Sequence, residues 1–317
     1  MRCLITGGSG FIGRALTRYA QVQGHDVRLV HRRSKNTDGT VGVETVGIDG
    51  LSMNTDWTAA LRKVEVVVHL AARVHVMNEK SSNPLSEFRR VNVDGTANLA
   101  RQAAVAGIRR FIFLSSIKVN GESTQDRPPF TADDLPAPED PYGVSKYEAE
   151  EVLRQIAAET GMEVVIIRPP LVYGPGVKAN FEFMMRWLAR GVPLPLAAVT
   201  YNRRSLVALD NLVDLIVICL NHPAAANQTF LASDGEDLST ADLLSRMGGA
   251  LGKPVRLFYM PPALLKLGAQ LLYKSSIYQR LCGSLQIDIT KTSQLLGWTP
   301  PVSANEGLRR AAEGFQA

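Results

Sequence analysis

The chain has 317 residues, 45% of them hydrophobic and 21% charged, with 35 Lys and Arg against 30 Asp and Glu for a net charge of +5. This composition supports a large packed core and excludes a disordered chain, and the arginine pairs are scattered rather than massed, which argues against a nucleic-acid surface. The three cysteines (3, 219 and 282) show neither metal-ligand nor disulfide spacing, and glycines follow Met1 within a few residues, so a cytoplasmic protein with no metal, leader peptide or stable membrane insertion is expected.

In chain order, near-continuous apolar runs at 4–6, 27–30, 64–70, 111–115 and 164–167 read as strands covered on both faces. Helical patterns at 11–21, 85–106 and 142–160 lie between them. The alternation predicts an α/β fold, a Rossmann-like doubly wound parallel sheet. After Arg168, the residues Pro169, Pro170, Gly174, Pro175 and Gly176 break the pattern. A short segment follows at 181–190, and 205–220 reads as one more strand and helix returning to the sheet. From about 233 a smaller, mostly helical C-terminal region is expected, ending in Ser303-x-x-Glu306, a capping-box pattern. The dinucleotide-binding domain is placed at 1–169 with about 203–232, and the substrate region at 170–202 with about 233–317. The apolar stretch 261–281, with Lys266, Lys274 and Arg280, reads as a substrate lid or core helix in preference to a helix resting on a membrane.

Gly7, Gly10 and Gly13 follow the first strand and open a helix whose first residues are Phe11 and Ile12. Glycine permits a tight turn, and the helix N-terminus then faces an anion such as a pyrophosphate. The plain alternative is an ordinary strand-to-helix turn. The second strand ends in His31, Arg32 and Arg33, with no carboxylate for a ribose 2′-hydroxyl. Arginine there suits a 2′-phosphate, so NADP(H) is preferred and NAD(H) is possible. Asp49, after the next strand, is placed to receive the adenine amine. Leu70, Ala71 and Ala72 are small or apolar residues where a cofactor lies against backbone, and His69 reads as a satisfied strand-end histidine.

Tyr142 and Lys146 lie four apart and share a helix face. The lysine charge is expected to lower the tyrosine pKa toward the working range, making it a general acid or base. A hydroxyl from Ser115 or Ser116, at the end of the strand upstream, is placed to bond the same substrate oxygen.

With these residues on view, the chain resembles the extended short-chain dehydrogenase/reductase family, the NAD-dependent epimerase/dehydratase group. The resemblance rests on TGGSGFIG (6–13), HLAA (69–72), VNVDGTANL (91–99), FLSSIKVNGE (113–122), PYGVSK (141–146), RPPLVYGPG (168–176), RRSLVALDNLVD (203–214) and LLGWTPP (295–301). It implies a catalytic Tyr142, Lys146 and Ser116, cofactor contacts that include Asn92, Ser115 and Pro169, and substrate contacts at Ser116, Asn180, Arg204 and Arg280. It also implies a homodimer through paired helices. Asn120 stands where the family usually has tyrosine.

The resemblance covers three chemistries. A 4,6-dehydratase needs an Asp-Glu pair just after the catalytic hydroxyl residue, and Ile117 and Lys118 stand there instead, which excludes it. A 4-epimerase keeps a tightly bound NAD. A 4-keto reductase consumes NADPH. Arg32 and Arg33, with a likeness to bacterial O-antigen enzymes, make the expected activity NADPH-dependent reduction of a UDP-4-keto-6-deoxy-hexosamine such as the N-acetylglucosamine derivative, for surface polysaccharide. The alternatives are a UDP-glucose or UDP-N-acetylglucosamine 4-epimerase and a non-catalytic NADP-binding sensor.

Overall fold

The computed structural model describes residues 1–32, 42–74 and 83–315. Strand β1 (Arg2–Thr6) leads through the glycine turn into α1 (Phe11–Val22), followed by β2 (Asp26–Arg32), β3 (Glu44–Ile48) and α2 (Thr58–Leu61). Next come β4 (Val66–His69), α3 (Pro84–Phe88), α4 (Gly95–Val105), β5 (Arg110–Leu114), α5 (Pro141–Thr160) and β6 (Glu163–Arg168). The chain continues through β7 (Leu171–Tyr173), α6 (Ala179–Ala189), β8 (Arg204–Ala208), α7 (Leu209–Cys219), β9 (Thr229–Leu231) and β10 (Asp237–Leu238). Five helices end it: α8 (Thr240–Ala250), α9 (Pro262–Leu271), α10 (Ser275–Cys282), α11 (Thr290–Leu296) and α12 (Ala304–Glu313).

The main sheet has seven strands in the order β3-β2-β1-β4-β5-β6-β9, every pairing parallel. Alternate residues of one strand feed opposite faces, as a period of two demands. Cys3 and Ile5 enter a core with α1 and α7, whereas Leu4 enters one with α4 and α5. The winding direction reverses between β1 and β4, which opens a crevice at the C-terminal ends of those strands.

Two expectations are corrected here. The strand near 205 does not return to the main sheet. β8 pairs parallel with β7 and antiparallel with β10 in a separate three-stranded sheet, and β9 closes the main sheet beside β6. The cause is two-sided burial: Leu206 and Ala208 face the core of the C-terminal region, and Val207 faces the core under α7. The helix at 85–106 is also not uniform. A π-helical turn, Arg89–Asp94, separates α3 from α4 and carries Asn92 inward.

The core of the C-terminal region gathers Phe181, Met185 and Leu188 of α6, Leu244 and Met247 of α8, and Leu308 and Ala311 of α12. Ser303 caps α12 by accepting from the Glu306 amide. The Glu306 carboxylate turns to Arg309 and Arg310 instead of back to the cap, so half of the expected capping box forms. No residue of α9 is buried, so it is not a core helix. Among the described residues no helix is long and apolar enough to cross a membrane.

Candidate active site

The ends of β1, β4 and β5 stand side by side at the crevice, with Thr6 opposite His69 and His69 opposite Phe113. Gly7 has φ +74°, and a Cβ on it would stand 2.9 Å from the Ala71 nitrogen. A Cβ on Gly13 would strike the Gly7 carbonyl and stand 2.7 Å from the Gly8 Cα. Only glycine allows this packing of the turn against β4 and itself. Gly10 caps α1 with no side chain, and the first turn holds no acid. The N–H groups opening at Phe11, Ile12 and Gly13, with the positive helix end, therefore suit a pyrophosphate. Leu70, Ala71 and Ala72 line the neighbouring edge, half-buried. These residues fit a dinucleotide.

His69 is fully buried. Its ring is hydrogen-bonded with Thr6 Oγ1 at 2.6 Å and Thr96 Oγ1 at 2.9 Å, and it stacks on Phe113. Burial, then the nearby Lys146 charge, lowers its pKa to about 3, so it is neutral and structural. At the far end, His31 is half-buried and Arg32 is the exposed last residue of β2, paired in register with Ile48. Asp49 follows that residue and is exposed. Arg33 lies outside the described residues.

Asp140 opens α5. Its Oδ1 accepts from the Gly143 amide at 2.6 Å, and Pro141 takes the first helical turn, where no amide donor is lost. Its Oδ2 accepts from Lys118 Nζ at 2.5 Å, and that ammonium also reaches Glu122 at 2.7 Å. Burial lowers the Lys118 pKa, but the two carboxylates outweigh that and the net shift is upward. A Cβ on Gly143 would sit 3.0 Å from the Lys118 carbonyl. The short turn of Ile117–Val119, capped by Ser116, is thus pressed against the turn that carries Tyr142. Ser116 is half-buried there, and the Pro169 carbonyl anchors its turn through the Ile117 amide at 3.0 Å.

The Tyr142 ring is half-buried, edge-on to Phe88 at 6.1 Å. Lys146 is 2% exposed, with Nζ 4.1 Å from the Phe113 ring centre. Burial lowers its pKa to about 7, and Glu150 works the other way. The tyrosine corrects the expectation. Burial first, then Asp140, pushes the phenol up from its ordinary value, because desolvation and a neighbouring negative charge both penalise the phenolate. Among the described residues Lys146 Nζ makes no hydrogen bond, which leaves the ammonium free for a ribose hydroxyl.

Behind these groups lies a buried polar network absent from the sequence expectation. Glu150 accepts from Arg168 Nε at 2.9 Å and Nη2 at 2.5 Å, and from Ser115 Oγ at 2.5 Å. Arg168 Nη1 donates to Asn120 Oδ1 at 2.9 Å, and Asn120 Nδ2 donates to the Thr131 carbonyl at 2.8 Å. Ser115 is therefore engaged below the site, leaving Ser116 as the available hydroxyl. Asn120 has a role that its sequence position did not disclose: it satisfies the free edge of a buried guanidinium. Asn92 spans from the π-turn. Its Nδ2 donates to the Arg73 carbonyl and to Ser145 Oγ, both at 3.0 Å, and its Oδ1 accepts from the Arg73 amide. Ser145 in turn donates to the Tyr142 carbonyl. The spacing of Tyr142, Lys146 and Glu150 and the Asp140-Pro141 pair were the signals that could have revealed Glu150 and Asp140.

Of the expected substrate residues, two come together. Arg204 is half-buried and donates to the Gly283 carbonyl at 3.0 Å. Burial, then the charge of Arg280 on α10, lowers its pKa. Two neighbouring guanidinium groups with no carboxylate partner among the described residues suit a diphosphate. Asn180 is exposed in the first turn of α6 and bonds to neither.

A family model described as NAD dependent epimerase/dehydratase family matches residues 3–232. A Vibrio cholerae protein named UDP-glucose 4-epimerase is 48% identical across 98% of this chain and 94% of its own length. Among solved structures, UDP-N-acetylglucosamine 4-epimerase from Bacillus cereus superposes with a TM-score of 0.80 at 21% identity, covering 99% and 98% of the two chains, which shows the shared fold. A structure of MoeE5 in complex with UDP-glucose and NAD has a TM-score of 0.77 at 25% identity, again covering 99% and 98%.

Proposed function

The chain belongs to the NAD dependent epimerase/dehydratase family, and on that premise we propose that it inverts the C4 hydroxyl of a UDP-linked hexose with a retained NAD. The observation that carries this reading is the composition of the site: Tyr142, Lys146 and Ser116 are present, while Ile117 is buried and Lys118 is tied to Asp140 and Glu122. No proton carrier for an elimination remains at 117 and 118. The near full-length match to a UDP-glucose 4-epimerase supports epimerisation over the reduction expected from the sequence.

The glycine turn with Phe11 and Ile12 would hold the cofactor pyrophosphate, and Lys146, Asn92, Ser115 and Pro169 would border its nicotinamide end. A bound nicotinamide would supply the hydride acceptor and donor for C4. Tyr142 takes the C4 hydroxyl proton during oxidation and gives it back during reduction. Ser116 holds the same oxygen, and protonated Lys146 favours the phenolate. Arg204 and Arg280 would grip the diphosphate, with Asn180 beside it. A homodimer through the helical faces and a cytoplasmic setting complete the proposal.

One observation favours a second reading. Arg32 is the exposed last residue of β2, and a guanidinium there suits a 2′-phosphate, hence NADPH and a 4-keto reductase. The test is to denature the purified protein, identify any released dinucleotide, and incubate fresh protein with UDP-glucose. Released NAD and a UDP-glucose/UDP-galactose equilibrium are expected. An empty site, no epimerisation, and NADPH oxidation with a UDP-4-keto-6-deoxy-hexosamine would replace the first reading by the second.

A further inference from the structure

The C-terminal region carries a surface that the proposed chemistry does not use. Along α9, Leu264, Leu267 and Leu271 recur at helical spacing on the solvent side, while Leu265 packs inward against the core of α6 and α8. The turn into α10 extends this stripe. Leu271 and Leu272 are each 71% exposed, and Tyr273 is 96% exposed. Tyr273 also has φ +53°, a left-handed conformation that a bulky side chain rarely adopts, and it projects the ring away from the body. Scattered apolar side chains on a surface need no explanation, but a contiguous stripe does.

Charge sets this surface apart. From residue 243 to 287 the sequence contains no Asp or Glu. The same stretch presents Lys253, Arg256, Lys266 and Lys274, all exposed and none in an ion pair among the described residues. A stripe of leucines with an exposed aromatic, framed by unpaired cations, is what an anionic bilayer surface binds: the apolar tips enter the headgroup boundary, and the cations meet lipid phosphates. A second copy of the chain is a poor occupant, because a two-fold contact would set these cations against their own copies. Crossing a bilayer is not in question, since α9 has only ten residues.

We propose that the α9–α10 edge docks the protein reversibly on an anionic lipid surface, leaving the crevice accessible. This does not depend on which sugar the site takes. The test is co-sedimentation of the whole protein at low salt with vesicles of phosphatidylcholine alone, or of equal parts phosphatidylcholine and phosphatidylglycerol. Pelleting with the anionic vesicles only, weakened by added salt, is expected. Lys266→Glu with Lys274→Glu should weaken partition by about tenfold or more, since each cation near such a surface contributes about fivefold. Leu267→Glu with Leu271→Glu should abolish it while leaving turnover of soluble substrate unchanged. Three results overturn the proposal: no pelleting above a lipid-free control, equal pelleting with neutral vesicles, or undiminished pelleting of the leucine variant. A concentration-dependent dimer that the leucine variant abolishes would also overturn it, by assigning the face to a protein partner.

Discussion

Glu150→Gln changes one atom and should be felt at two distances. Glu150 is fully buried and Arg168 is 2% exposed, so neither charge has water to fall back on. The carboxylate receives two bonds from Arg168, one from Ser115 and one from Arg154 at 3.1 Å. Glutamine keeps one oxygen but turns an NH₂ toward a guanidinium that can only donate. Arg168 then retains only Asn120 Oδ1 and the one remaining side-chain oxygen as acceptors, and loses its charged partner. Breaking a buried pair by removing one partner costs about 3–5 kcal/mol, against a total stability of about 5–15 kcal/mol for a folded domain. The variant should fold but show a clearly lowered denaturation midpoint. The same change removes the charge that holds the Lys146 pKa up against burial. Lys146 should then lose its proton at a lower pH, and the break that it sets in the pH profile of kcat/KM should move down with it. Chemical denaturation and a pH–rate profile test both effects. Adding Arg168→Gln should cost less than the sum of the two single changes. A loss below about 1 kcal/mol together with an unmoved break in the pH profile would refute the reasoning.

Tyr142→Phe keeps the ring against Phe88 and deletes only the hydroxyl, so turnover should vanish while dinucleotide binding, measured by fluorescence titration, changes little. Gly13→Ala forces a Cβ into the Gly7 carbonyl and Gly8 Cα, so both thermal stability and cofactor affinity should fall, with no conservative residue able to restore them. His69 has its folded pKa lowered to about 3 from an ordinary 6.5, so between those values the unfolded chain binds the extra proton. Stability should therefore decline on acidification below pH 6.5, by up to about 1.4 kcal/mol per pH unit from this residue, and His69→Gln should flatten the slope in urea titrations.

The legible parts of the molecule were those written locally. The five apolar runs, the glycine turn and the Tyr142–Lys146 spacing depend on residues within one or two elements, and the sheet and crevice follow from them. The fate of the chain after Arg168 was not local. β9 has only three residues, too few for a period to show, and β8 is apolar on both sides whichever sheet it joins. The partnership of Glu150 with Arg168 joins residues from a helix and a strand, and no local pattern announces it. Nor did the Tyr/Lys spacing reveal how strongly burial opposes both charged forms. The arginine argument for NADPH rests on Arg32 alone among the described residues, which is one reason that the similarity to a 4-epimerase outweighs it.

The proton inventory of the crevice separates the two readings by pH. A reductase asks Tyr142 only to donate. Burial and Asp140 hold the phenol protonated well above neutrality, so the donor form is fully present through the acid and neutral range. Its kcat/KM should be level on the acid side. An epimerase asks the same oxygen to accept a proton first and donate it second within one turnover. The accepting step needs phenolate, whose fraction grows with pH, and needs Lys146 charged, whose fraction shrinks above about 7. Because the phenol titrates above Lys146, the falling fraction offsets the rising one beyond about 7, so the product climbs with pH up to about 7 and is level from there, with the break set by Lys146. Stopped assays of UDP-galactose formation across the pH range should therefore give a rate that rises to about pH 7 and then levels. A level acid plateau for the UDP-glucose reaction would show that proton abstraction by Tyr142 does not limit the turnover, and the epimerase mechanism as drawn would fall with it.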